Sequence, residues 1–155
     1  MRCIAAATDG STGADRAIDF AADLASKFGA DLVLTHVISA SALPSASFGA
    51  SRPFLPTPRA PVVVETLSVP GVLTDTANEL LAKAKARAEA RGVRRVHTEV
   101  HVGEPAEAIL SLAKERNADA IVLGKRGEGR LAGLLLGSIS QKVVTLAHCA
   151  VIVIP

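Results

Sequence analysis

The chain has no tryptophan, no tyrosine and only four phenylalanines in 155 residues, so the aromatic platforms on which single-strand and RNA binders stack bases are missing. It also lacks any long run of one charge. Seventeen basic residues stand against 15 acidic ones for a net charge of +2, which leaves no footprint for a phosphate backbone. Nucleic acid is therefore not an expected partner. No apolar stretch approaches the roughly 20 residues that cross a bilayer, and Asp9 interrupts the opening MRCIAAATDG too early for a signal peptide. No membrane attachment is expected, and a cytoplasmic location is. Cysteine is scarce as well: Cys3 and Cys149 lie far apart, which suits reduced core thiols better than a disulfide framework.

What is present is apolar aliphatic content, 49% hydrophobic residues against 21% charged ones, the balance of a chain that buries a core. The length fits one domain over residues 1–155. Arg2 to Thr8 is a short apolar run closed by Asp9, Gly10 and Ser11, as expected where a buried strand ends. Ala17, Ile18, Ala21, Leu24, Ala25 and Phe28 then recur at helical period up to Gly29. Asp31 to Val37 reads as a second buried strand, completing a βαβ unit. Further on, Ala77, Leu80, Leu81, Ala84 and Ala88 mark a helix closed by Gly92, and Val96 to Val102 alternates as an edge strand. Glu104 and Pro105 open another helix that ends near Asn117, and Asp119 to Leu123 is a fourth strand. Gly137 to Ala147 forms the last helix and Ala150 to Ile154 the fifth strand.

This alternation predicts an α/β fold: an open five-stranded parallel sheet in a doubly wound, three-layer α/β/α sandwich of Rossmann-like type. Between the second strand and the next helix, from about residue 39 to 74, six of the eight prolines fall together, and an irregular loop is expected there. Its segment Leu43 to Gly71, with Arg52 and Arg59, leaves the second strand at the binding rim and is expected to form a lid.

Ligands of such folds bind outside the carboxyl ends of the strands. That rule singles out Thr8 to Ser11, the loop after Val37 and the loop after Leu123. The last reads GKRGEGRLAGLLLGS from Gly124 to Ser138. Its glycines let backbone amides approach an anion, and the helix that follows presents unpaired N–H groups and the positive end of its dipole. Lys125, Arg126, Arg130 and Lys142 lie in or near it, and after Glu128 the chain has no further carboxylate, so a polyanion is favoured. A Walker A sequence is absent. Gly127 to Ala132 matches the loose dinucleotide pattern GxGxxA but has no acidic residue about 20 positions on.

The spacing Gly, two residues, Gly, nine residues, Gly-Ser is met by Gly124, Gly127, Gly137 and Ser138. With it the sequence resembles the universal stress protein family, and specifically its ATP-binding branch. The resemblance runs over the whole chain, through Thr-Asp-Gly-Ser at 8–11, LVLTHV at 32–37, GEPAEAIL at 103–110 and ADAIVLG at 118–124. It implies the adenine nucleotide hydrolase-like variant of the fold, and phosphates held by the loop glycines and the Ser138 hydroxyl. It further implies Asp9 on the ribose side and Val37 offering backbone to the adenine. The expected nucleotide-binding set is Thr8, Asp9, Val37, Gly124, Lys125, Arg126, Gly127, Gly137, Ser138, Ile139 and Ser140. The implied cofactor is ATP, or ADP or AMP, with Mg2+ or Mn2+, and the implied assembly is a homodimer through the strand from Ala150 to Ile154. Ala150 departs from the family, which often has Pro there.

The function so implied is that of an ATP-binding universal stress protein, a nucleotide-dependent regulator in stress response. A nucleotide-independent interaction module and a weak ATPase remain as alternatives, with no catalytic residue identified and at most slow hydrolysis. Plain structural roles stand beside the functional ones. Asp9 also suits a helix cap or turn, Ser138 a cap of the last helix, and the Val37 side chain the core. His97 and His101, about 13 Å apart on a strand, cannot share a metal and are expected to face solvent. His36 and His148 are expected to be packing residues.

Overall fold

A computed structural model describes residues 1–39, 62–63, 71–125 and 136–155. The elements run β1 Cys3–Ala7, α1 Thr12–Phe28, β2 Asp31–Ser39, β3 Val62–Val63, α2 Gly71–Ala90, β4 Val96–Gly103, α3 Pro105–Glu115, β5 Ala120–Gly124, α4 Ser138–Leu146 and β6 Ala150–Ile154. Five strands are parallel, in the order β4-β2-β1-β5-β6, and the two-residue β3 adds antiparallel to β4. The doubly wound architecture is thus present. The chain builds outward from β1 to β2 and β4, then returns to the opposite side of β1 for β5 and β6, so a topological switch lies between β1 and β5.

The helices divide between the two faces according to side-chain alternation on the strands. Ile4 and Ala6 of β1, Leu32 and Leu34 of β2 and Val122 of β5 bury against the alanine-rich face of α1 and against Leu81, Ala84 and Ala88 of α2. Ala5 of β1 with Ile121 and Leu123 of β5 meet Ala106, Ile109 and Ala113 of α3 and Val143 of α4 on the other face. Alanine at Ala14, Ala17, Ala21 and Ala25 lets α1 approach the sheet closely while keeping helix propensity high. Its ends follow from local chemistry. The Ser11 hydroxyl accepts from the Ala14 amide at 3.2 Å, and Gly29 closes the helix in the left-handed region at φ 64°. On the solvent side, Asp19 and Asp23 of α1 pair with Arg87 of α2 and with Arg91 just beyond its end, each at 2.7 Å. These contacts are exposed and register the two helices more than they stabilise them.

Two expectations change. β4 is not an edge along its whole length, because Val63 and Val62 pair with His101 and Val102. His101 is therefore not solvent-facing: it is 2% exposed, flanked by strands on both sides, with Nε2 3.2 Å from Glu99 Oε2. His97, by contrast, is exposed. The proline-rich stretch contains β3, and α2 begins at Gly71; the lid expected over 43–71, with Arg52 and Arg59, otherwise lies outside the described residues.

Opposite the binding rim, Asp119 Oδ2 accepts from the Arg2 amide and from the Cys3 amide at 3.0 Å, tying β5 to the start of β1. These two amides hold its carboxyl below the ordinary range. A carboxyl depressed by folding contributes stability above its unfolded pKa, and that stability disappears as pH falls through the folded value. Asp119→Asn is accordingly expected to be less stable than the parent at pH 7. The gap should begin to narrow below about pH 4, as read from urea unfolding at pH 7 and pH 3.

Candidate functional site

The carboxyl ends of β1, β2 and β5 enclose a cavity of about 140 Å³ with α3 and α4. β1 and the turn after it supply Ala7, Thr8 and Asp9, α1 supplies Ala14, and β2 supplies His36 and Val37. α3 adds Pro105 and Ile109, β5 adds Leu123 and Gly124, and the first turn of α4 adds Ile139 and Ser140. The cavity therefore spans the switch point. Most of this lining is apolar, as suits the body of a ligand whose few polar groups are met by specific partners.

The polar residues of the rim are organised by short-range bonds. Thr8 is 6% exposed. Its amide donates to the Thr35 carbonyl at 2.9 Å, and its Oγ1 accepts from the Gly10 amide at 3.1 Å. Asp9 Oδ1 accepts from the Ser11 amide at 3.0 Å, which makes Asp9 a turn residue and leaves the helix cap to Ser11. His36 Nδ1 lies 2.8 Å from the Thr8 carbonyl oxygen and so joins β2 to the β1 turn.

Gly124 has a packing reason of its own. A Cβ built there would lie 2.8 Å from the Gly13 carbonyl carbon and 2.9 Å from its oxygen. Strand β5 can thus end directly against the backbone of the first turn of α1. Beyond it, the Lys125 amide donates to the Ile154 carbonyl at 2.6 Å, and the Lys125 carbonyl accepts from the Gly137 amide at 2.9 Å. The two ends of the glycine-rich loop meet at this bond. Gly137 caps α4 in extended conformation, with no side-chain cap bond, so Ser138 is the first helical residue and not the cap. The Ser140 hydroxyl donates to the Gly124 carbonyl at 2.9 Å, fastening α4 to the end of β5.

Of the expected set, Thr8, Asp9, Val37, Gly124, Ile139 and Ser140 come together on the cavity. Lys125, Gly137 and Ser138 adjoin it without lining it, and the Lys125 and Gly137 amides are engaged by the protein's own carbonyls. Amides of the first turn of α4, at Ser138, Ile139 and Ser140, have no acceptor among the described residues. Arg126, Gly127, Glu128 and Arg130 lie outside the described residues. Lys142 does not serve the loop: its Nζ bonds Glu104 Oε2 at 3.2 Å and Glu107 Oε1 at 3.1 Å across to α3. These carboxylates push the lysine upward. Partial burial works against ionising Glu104, yet the Glu107 amide and Lys142 together keep its carboxyl below the ordinary range.

His36, Pro105 and Ile109 are lining residues that the sequence did not single out. The strand-end rule applied equally to the turn after β4, and would have found Pro105. His36 gave no signal beyond its place beside Val37.

The family profile described as the universal stress protein family matches residues 1–53 and 55–155. A universal stress protein of Methanocaldococcus jannaschii is 35% identical over 147 residues, covering 95% of this chain and 78% of that protein. Another, of Mycobacterium tuberculosis strain H37Rv, is 33% identical over 153 residues, covering 99% of this chain and 95% of that one. The crystal structure of a universal stress protein in complex with cAMP is similar at a TM-score of 0.72 and 25% identity, covering 99% of this chain and 97% of that one.

Gly124→Ala should lower unfolding stability by about 1–3 kcal/mol, because the added methyl meets backbone on α1 that cannot rotate away. Urea denaturation without any ligand checks this, and an unchanged midpoint would mean that β5 can retreat from α1.

Proposed function

The chain belongs to the universal stress protein family, and on that footing we propose that it binds ATP, or ADP or AMP, as a nucleotide-dependent regulator in stress response. The observation that carries this reading is the cavity at the switch point, closed on one side by the first turn of α4. Apolar walls suit a purine, and the first-turn amides of α4, without acceptors among the described residues, together with the dipole of the helix end suit a phosphate. The relative of similar fold that is complexed with cAMP supports the same ligand class. In this reading Val37 offers backbone to the base and Asp9 faces the ribose. Gly124, Lys125, Arg126, Gly127, Gly137, Ser138, Ile139 and Ser140 surround the phosphates.

Among the described residues no group of three or more His, Cys, Asp or Glu is placed to hold a metal. An accompanying Mg2+ or Mn2+ would therefore be held mainly by the phosphates, with Asp9 the lining carboxylate, as is common for Mg2+. We place the protein in the cytoplasm and treat residues 1–155 as one nucleotide-binding domain with at most slow hydrolysis. The interaction-module alternative draws support from the engaged amides of Lys125 and Gly137, which leave fewer donors for an anion.

Micromolar affinity requires about 8 kcal/mol, within reach of a few charge-assisted bonds at roughly 1.5–3 kcal/mol each plus a buried base. Isothermal titration of the full chain with ATP, ADP and AMP should give saturable heat at micromolar to millimolar concentration, and Gly127→Val should abolish it. No heat with any of the three would refute nucleotide binding. A cellular phenotype unaffected by Gly127→Val would favour the interaction module.

The assembly proposed is a homodimer through β6. That strand pairs only with β5 among the described residues, and Val151 to Ile154 are half-buried. The adjoining α4 leaves Val144 and Leu146 46% and 58% exposed. An apolar edge with unpaired backbone is a template for a second copy. Sedimentation velocity at tens of micromolar should show a dimer that Val153→Lys converts to a folded monomer; a monomeric parent chain would remove the proposal.

A further inference from the structure

The bond between His36 and Thr8 dictates the state of the imidazole. A carbonyl oxygen only accepts, so His36 Nδ1, at 2.8 Å from it, must carry a proton. In the neutral ring Nε2 is then a bare acceptor. The hydroxyls of the lining each make one local bond, Thr8 Oγ1 accepting from the Gly10 amide and Ser140 Oγ donating to the Gly124 carbonyl. Asp9 Oδ1 is likewise bound, to the Ser11 amide. Around them the walls are Ala7, Val37, Pro105, Ile109 and Leu123, which offer no competing side-chain polar group.

We propose that His36 is a specificity-determining residue for the base, accepting at Nε2 from the exocyclic amine of adenine and so selecting a 6-amino purine over a 6-oxo purine. This rests on the nucleotide reading given above. A 6-oxo purine turns a carbonyl toward a second acceptor, so the bond to Nε2 is lost. Sites that hydrogen-bond a substrate group discriminate against analogues lacking it for this reason.

Affinities of the full chain for ATP and ITP, measured by titration calorimetry at pH 8, test the assignment. The parent should prefer ATP on the order of tenfold. His36→Phe removes both ring nitrogens. His36→Asn keeps a donor near the Nδ1 position for the Thr8 carbonyl while deleting Nε2, so it retains the fold should the Phe variant lose it. Either variant is expected to bind ATP and ITP with similar affinity. If the parent binds ATP and His36→Asn keeps the same ATP-to-ITP ratio, the role of His36 is overturned and the nucleotide reading stands. If the parent binds neither nucleotide, both fail together.

Discussion

The close approach of two backbones at the switch point underlies the rest of the structure. β5 ends at Gly124 against the carbonyl of Gly13, a contact that a single β-carbon would fill. Because α1 can start there, the turn Thr8 to Ser11 sits directly beside the end of β5. Because β5 ends there, the Gly124 carbonyl is available to the Ser140 hydroxyl at 2.9 Å. The first turn of α4 is thereby brought to the same crevice as β1 and β2. One missing methyl thus gathers three separate parts of the chain around one cavity.

Hydrogen bonds between strand ends then make that crevice rigid. Thr8 donates to Thr35 and receives the His36 ring on its carbonyl, so β1 and β2 cannot shift independently. Lys125 links the end of β6 to Gly137, which makes the base of the glycine-rich loop part of the sheet edge. The Lys125 amide also bonds the last residue of β6, the strand of the proposed dimer contact.

Charge is distributed less simply than its order along the chain implies. Lys142 looks like part of a basic loop region when only its neighbours in sequence are considered. In space it closes on Glu104 and Glu107, which precede it by more than 30 positions and stand at the start of α3. The acidic face of α1 is similarly matched by the basic end of α2 through Asp19, Asp23, Arg87 and Arg91. Fields near the cavity are consequently set by pairings between helices as well as by local composition.

The sequence by itself determined the parallel α/β order, the helix ends and the place of the loops, because these follow from periodicity and from residues such as Ser11, Gly29 and Pro105 acting within a few positions of themselves. Strand ends and glycines also pointed locally to Thr8 to Ser11, to the segment after Val37 and to the glycine-rich stretch from Gly124, whereas Ile139 and Ser140 entered only through the family resemblance. Only the tertiary structure decided that His101 is buried between strands and that Lys142 faces α3. It alone placed His36 on the cavity with a defined tautomer, and it alone engaged the Gly137 amide. Each of those outcomes depends on which distant segment lies alongside, a property of sheet order and layer packing that no window of sequence contains.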